Sequence, residues 1–117
     1  MKIIEIKKEK YDIVKSKRII DNAFANIKDR EITVIIEQGK MKKEDIIKIE
    51  KGYKLIKFNM ILPFSMVGFI ANISRVLANE KIPIFVMSSY STDYILVKEK
   101  YLKKAVGKLK ILGFVKK

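Results

Sequence analysis

Apolar and charged residues alternate from the start of the chain. Ile4 and Ile6 alternate with charge, and Tyr11, Ile13 and Val14 follow after Lys8-Glu9-Lys10. This period of two predicts two short strands between Lys2 and Lys15, with the charged triplet as their turn. Residues 16–30 keep no single period, because Asp21-Asn22 and Lys28-Asp29-Arg30 interrupt the pairs Ile19-Ile20 and Phe24-Ala25. Ile32-Thr33-Val34-Ile35-Ile36 is unbroken and rich in β-branched residues, the pattern of a strand buried on both faces. Gln38-Gly39-Lys40 closes it as a turn. Residues 42–49 then predict a short helix with Ile46 and Ile49 inward, stopped by Gly52.

The second half is more regular. Tyr53 to Met60 alternates as a strand, with Ile56 and Phe58 on one face and Tyr53 and Leu55 on the other. Pro63-Phe64-Ser65 ends it, and Ser65 is placed to N-cap a helix from Met66 to about Glu80. Val67, Ile70, Ala71, Ser74, Leu77 and Ala78 follow helical spacing and predict a stripe of mostly small residues lying on a sheet. Strands are predicted over Ile82–Ser89 and Thr92–Lys98, joined at Tyr90-Ser91. A second amphipathic helix follows over Tyr101–Leu112, with Leu102, Ala105, Val106, Leu109 and Leu112 inward. Gly113 ends it, and Phe114-Val115 is a short last strand.

The resulting order, strand-helix-strand-strand-helix-strand, is the ferredoxin-like βαββαβ arrangement of an α+β fold. It is an antiparallel four-stranded sheet with both helices on one face. In that topology the second strand lies at an edge, where Pro83, which has no N–H to donate, is best tolerated. Residues 84–87 of this strand are apolar. Such an edge calls for cover, so pairing through residues 82–89 is expected, across a homodimer or onto the N-terminal half. The organisation expected is a small β-rich unit over residues 1–52 and a complete domain over residues 53–117.

Composition narrows the chemistry. The chain has no Cys and no His, which removes thiolate nucleophiles, imidazole bases and the usual zinc ligands. Its five glycines, at 39, 52, 68, 107 and 113, are scattered and form no phosphate-binding loop, and no paired-carboxylate motif is present. An enzyme is not expected, nor is a metal or cofactor. The first residues lack an apolar run, and the most apolar stretch, 60–71, is interrupted by Pro63, Ser65 and Gly68. No signal peptide or membrane span is expected, which leaves a cytoplasmic protein as the default.

The net charge of +13 raises the question of nucleic acid. Residues 1–57 carry sixteen Lys and Arg against ten Asp and Glu, residues 58–97 are balanced, and residues 98–117 carry eight Lys against Glu99. The motif-like segment is thus the neutral one, and only Arg18, Arg30 and Arg75 supply the guanidinium that base and phosphate recognition favours. The excess reads as solvated lysine faces, and nucleic acid is not the expected partner.

Pro63 to Ala71, followed by Leu77-Ala78-Asn79-Glu80-Lys81-Ile82-Pro83-Ile84-Phe85, resembles the first loop, helix and second strand of ACT domains. Ser88-Ser89-Tyr90-Ser91-Thr92-Asp93-Tyr94-Ile95-Leu96-Val97 resembles the hairpin of one ACT subgroup. That subgroup holds small stand-alone proteins and is related to CASTOR-type arginine sensors and the regulatory part of aspartate kinases. The resemblance is close over about residues 53–112, and a weaker one reaches back to Asp29–Val34. It implies a regulatory module that binds an amino acid, with a degenerate ACT-like unit packed before the complete one. It also implies a ligand held between the helix loop of one ACT unit and the second strand of its partner. Two positions depart from the pattern: Pro63 stands where the loop commonly carries an acidic residue, and Asn59 where a Gly is common.

The chemistry of these residues agrees with that use. A helix start leaves about four backbone N–H groups without intrahelical partners and carries partial positive charge. Gly68 leaves those groups open to a ligand carboxylate. Asp93, among Ser88, Ser89, Ser91 and Thr92, can accept from an ammonium or guanidinium. The expected binding set is therefore Ser65, Met66, Val67 and Gly68 at the loop, Ile84, Phe85 and Val86 on the strand, and Thr92 and Asp93 on the hairpin. Plainer roles stand beside these. Gly68 can serve close helix–sheet packing, Asp93 with Thr92 can cap the hairpin, and Phe85, Met87, Phe64 and Phe69 can be core. A ligand-free protein using only the sheet edge for assembly is the alternative function.

Overall fold

The computed structural model describes residues 2–59 and 68–117. Its contacts divide the chain into two units, residues 1–7 with 54–117 and residues 8–53. Two long strands, β1 (Ile3–Ser16) and β4 (Ile46–Asn59), each contribute one end to each unit.

β1 corrects the expectation of two short strands with a turn at residues 8–10. Lys8, Glu9 and Lys10 are exposed but extended, and the Lys10 carbonyl accepts the Gln38 N–H at 2.9 Å. None of the three is a turn former such as Gly, Pro or Asn, so charge is solvated here without bending the chain.

In the unit over residues 8–53 the strand order is β2 (Ala25–Lys28), β3 (Ile32–Glu37), β1, β4. β3 lies antiparallel to both neighbours, with Ala25 opposite Ile35 on one side and Tyr11 opposite Glu37 on the other. Val34, Ile35 and Ile36 are consecutive and buried, as the unbroken β-branched run predicted. Val14, Ile20, Val34 and Ile36 form the core of the unit. The irregular segment before β2 is held by Asn26, whose Oδ1 accepts the Ile20 N–H at 2.9 Å while its Nδ2 donates to the Ile20 carbonyl at 2.8 Å.

The helix expected over residues 42–49 is absent. A single 3-10 turn, Lys43–Asp45, leads directly into β4. Ile46, Ile47 and Ile49 are β-branched and favour the extended backbone. Gly52 does not stop a helix. It sits within β4 at φ +80°, a backbone conformation that glycine adopts without strain. The 3-10 turn is tied back to the end of β1: the Lys17 N–H donates to the Asp45 carbonyl at 2.9 Å, and Arg18 pairs with the buried Asp45 carboxylate at 3.0 Å. That hydrogen-bonded carboxylate raises the Arg18 pKa further above its ordinary value.

The second unit contains α1 (Phe69–Asn79), β5 (Phe85–Ser88), β6 (Asp93–Lys98), α2 (Leu102–Ile111) and β7 (Val115–Lys116). The strand order is β5-β6-β4-β1, with β5 and β6 antiparallel. The last strand departs from the predicted four-stranded sheet. The place beside β4 belongs to β1, and β7 is a two-residue strand parallel to β1, with Ile3 opposite Val115. β1 offers a longer run of backbone pairing and the apolar Ile4 and Ile6. Phe114 instead turns its ring into the core.

Ile4, Ile56, Phe58, Ile95 and Val97 from the strands meet Ile73 and Leu77 of α1 and Ala105, Val106 and Leu109 of α2 in one cluster. These strand residues recur at period two, so both helices lie on one face of the sheet. The inward residues of α2 are those expected. Those of α1 are so only in part: Leu77 is buried as expected, but Ala71 and Ala78 are exposed, and Ile73 completes the buried stripe with Phe69 packed against it. Burying large side chains removes more apolar area from water than burying alanine, so the helix rotates to favour them.

Both helices end alike. The Gly113 N–H donates to Lys110 and the Phe114 N–H to Leu109, with Gly113 at φ +97°. After α1 the Lys81 N–H donates to Ala78 and the Ile82 N–H to Leu77, with Lys81 at φ +58°. Each places a buried residue, Phe114 or Ile82, just beyond a left-handed one. A lysine in this conformation is strained where glycine is not, and Lys81 is exposed. Lys81→Gly is therefore expected to stabilise the protein by about 1 kcal/mol, read from the urea midpoint. A destabilised variant would contradict this account of the turn.

Candidate functional site

The start of α1 differs from the expected one. Its N-cap is Gly68, at φ +86° and ψ +5°, and no side chain among the described residues caps the helix. A left-handed residue cannot continue a right-handed helix, so α1 starts at Phe69 rather than Met66. Ser65, Met66 and Val67, with Pro63 and Phe64, lie outside the described residues. The Asn72 N–H donates to the Gly68 carbonyl at 2.8 Å, which makes it the first intrahelical bond. The N–H groups of Phe69, Ile70 and Ala71 precede that bond and have no intrahelical acceptor.

A Cβ built on Gly68 would meet nothing among the described residues within 4 Å. The positive φ is itself a reason for glycine here. The open space belongs to a cleft of about 270 Å³ beside Gly68, Phe69 and Asn72, with Lys2, Leu112 and Phe114 on its other side. Its floor is aromatic: Phe69 and Phe114 stand 5.8 Å apart, and the Phe58 ring packs edge-on beneath them, 5.2 and 5.4 Å away. The Lys2 ammonium lies 5.6 Å from the Phe114 ring centre and donates to the Leu112 carbonyl at 3.4 Å. Asn72 Oδ1 accepts from Arg75 at 2.6 Å. Among the described lining residues the only formal charge is the positive Lys2, which adds to the helix end. The cleft therefore suits the carboxylate of a ligand with an apolar body.

Lys2, Leu112 and Phe114 were not among the expected site residues. Lys2 read as one charge in an alternating strand, and Phe114 as part of a terminal strand. Nothing local to either residue points to Gly68, because the pairing of β7 with β1 creates the proximity.

The remaining expected residues lie elsewhere. Ile84 is half-buried and packs on the core of its unit. Phe85 stands opposite Leu96 and Val86 opposite Ile95 on β5, the last strand of the sheet, where Val86 is 40% exposed. The Thr92 carbonyl accepts the Ser89 N–H at 2.8 Å, and Asp93 Oδ1 accepts the Ser88 hydroxyl across the hairpin. Asp93 therefore closes the hairpin in this chain. None of these five residues lines the cleft beside Gly68. Asn59, one of the two departures noted above, donates its Nδ2 to Glu5 at 3.0 Å. That hydrogen bond, helped by Lys7 and opposed by desolvation, lowers the Glu5 pKa below its ordinary value. No group of three or more His, Cys, Asp or Glu among the described residues could hold a metal ion. No described helix is long and apolar enough to cross a membrane.

A model of the ACT domain family matches residues 48–110, more than half of the chain. No curated protein sequence matches it. Among solved structures, the chain is similar to a protein from Agrobacterium tumefaciens at 20% identity and a TM-score of 0.86, covering 99% of this chain and 92% of that one. It is similar to the putative C-terminal regulatory domain of aspartate kinase from Porphyromonas gingivalis at 18% identity and a TM-score of 0.60, covering 93% and 94%. It also matches the aspartate kinase of Clostridium acetobutylicum, described as an allosteric enzyme, at 16% identity and a TM-score of 0.69, covering 90% of this chain and 33% of the kinase.

Proposed function

The chain belongs to the ACT domain family, and from that membership and the cleft beside Gly68 we propose that it is a regulatory module that binds an amino acid and does no chemistry. The observation that carries this reading is the cleft itself. The start of α1 at Gly68 and Phe69 and the Lys2 side chain line one space with an aromatic floor. The carboxylate of the ligand is held there. Its amine is met by Asp93 and its body by Ile84, Phe85 and Val86 of a second ACT unit, since these residues do not line the same cleft within one chain. The regulatory neighbours support the same class of use, and on this reading the N-terminal unit is a reduced ACT-like companion.

The test is a thermal-shift screen of the full chain against the twenty amino acids, followed by sizing with and without the one that responds. At a ligand concentration about a hundred times its Kd, stabilisation of about 2.7 kcal/mol is expected. Lys2→Glu, an exposed substitution, should remove the part due to this cleft. A response that Lys2→Glu leaves unchanged, or no response to any amino acid, would overturn the assignment. One observation favours a second reading, assembly without a ligand: β5 ends the sheet with Val86 exposed. Its mark is a dimer of the same size whether or not amino acids are present.

A further inference from the structure

The unit over residues 1–7 and 54–117 has a second cleft, of about 480 Å³, where α2 meets β1 and β7. Ile6, Leu102 and Val106 give it apolar surface, and Lys103, Lys110 and Lys116 stand around it. Leu102, Val106 and Lys110 recur at intervals of four, so the cleft runs along one side of α2. Eight residues at 1.5 Å each make it about 12 Å long. The three lysines are exposed, and none has an ion-pair partner among the described residues. Lys104 and Lys108, by contrast, both reach Glu80 at the end of α1, at 3.5 and 3.6 Å.

Gly107 lines the same cleft. It lies inside α2 without a positive φ, and a Cβ built on it would meet nothing among the described residues within 4 Å. Glycine in a helix interior is less favourable than alanine. Neither the backbone at this position nor the packing of the described residues calls for it. The missing side chain leaves room for something outside the chain to approach the helix closely.

We propose that this cleft docks an acidic amphipathic helix of a partner protein. A helix laid in an apolar groove anchors through residues at i, i+4 and i+7, a span of about 10 Å that this cleft accommodates. Carboxylates flanking those anchors meet the three lysines. The charge pattern decides against other occupants. A fatty acid brings a single charge, whereas the lysines are spread along α2 and onto β7. Nucleic acid brings phosphates but leaves Ile6, Leu102 and Val106 without an apolar partner. A second copy of this chain has no acidic helix to offer, since neither α1 nor α2 contains Asp or Glu. The cleft shares no residue with the cleft beside Gly68, so the inference does not rest on amino-acid binding there.

Amide-resolved NMR titration of the full chain tests this surface. The probe is a synthetic peptide of about 16 residues, long enough to form a helix, with leucine at helical spacing and glutamate at the flanks. It is expected to shift the amides of Leu102, Val106, Gly107 and Lys110. The same peptide with glutamine for glutamate should bind about tenfold more weakly, since three exposed pairs are lost. Decanoate and a short DNA duplex, at equal concentration, should not displace the glutamate peptide. In Gly107→Leu the urea midpoint should be no lower than in the native chain, because leucine favours the helix. The peptide should nevertheless bind it about tenfold more weakly, because the room beside the helix is filled. Lys103→Glu with Lys110→Glu should also weaken the peptide about tenfold. Lys28→Glu with Lys42→Glu, the same charge change on the other unit, should weaken it about twofold or less. Should Gly107→Leu not fold, the two double variants decide. The proposal is overturned by no shift on α2, by equal binding of the two peptides, or by unchanged affinity in Gly107→Leu. Equal losses in the two double variants, or displacement of the peptide by decanoate or DNA, would overturn it as well.

Discussion

Phe58→Ala is expected to lower the unfolding free energy by about 3–5 kcal/mol. Phe58 is 3% exposed and packs edge-on against both Phe69 and Phe114. The loss combines the transfer of a large ring, a residual cavity, and two aromatic pairs worth about 0.5–1.5 kcal/mol each. The cavity cannot close easily. Phe69 is held at the first position of α1, and Phe114 by its backbone bond to Leu109 beyond α2. For a domain whose total stability is about 5–15 kcal/mol, this is a large fraction. It is read from urea unfolding with the m-value unchanged. Phe69 and Phe114 also line the cleft beside Gly68, so any amino-acid response at that cleft should fall in the folded variant. A loss near 1 kcal/mol, with the response intact, would mean that the three rings do not act together.

Ile36→Ala is expected to cost about 2–5 kcal/mol and to leave a single unfolding transition. Ile36 is 1% exposed and sits in the core of the unit over residues 8–53 with Val14, Ile20 and Val34. The claim of one transition rests on chain continuity. β1 and β4 pass through both units, so neither unit keeps all its strands if the other unfolds. Unfolding followed by amide exchange on β6 and α2 checks this, because protection there should fall along with that on β3. A biphasic curve, or unchanged protection on β6, would show that the units melt independently.

Several elements were legible from residue order because their causes are local. The Ile32–Ile36 run forms β3, since β-branched side chains restrict the backbone wherever they stand. α2 and its end at Gly113 follow from helical spacing and a residue free to adopt positive φ. The hairpin of β5 and β6 lies within the expected strands: β5 is shorter at both ends, and β6 starts one residue later and ends at Lys98 as expected. The errors share another cause. Residues 42–49 are compatible with a helix by period, but residues 46–49 belong to β4, which pairs with the distant segment β1. The Lys8–Lys10 triplet looked like a turn because charge in isolation is a weak signal for one.

The candidate site divides in the same way. Gly68 stood out in the sequence at a helix start, and the resemblance to ACT domains was visible in contiguous motifs. What the sequence determined by itself was therefore the class: an α+β chain of the ACT family, without the Cys and His that thiolate and imidazole chemistry and the usual zinc sites require. Only the tertiary structure decided which residues share a space. It brought Lys2 and Phe114 to Gly68 and kept Asp93 on its own hairpin. The physical reason is range. Backbone preference and hydrophobic period act over a few residues, whereas these placements depend on strand pairing between segments far apart in the chain.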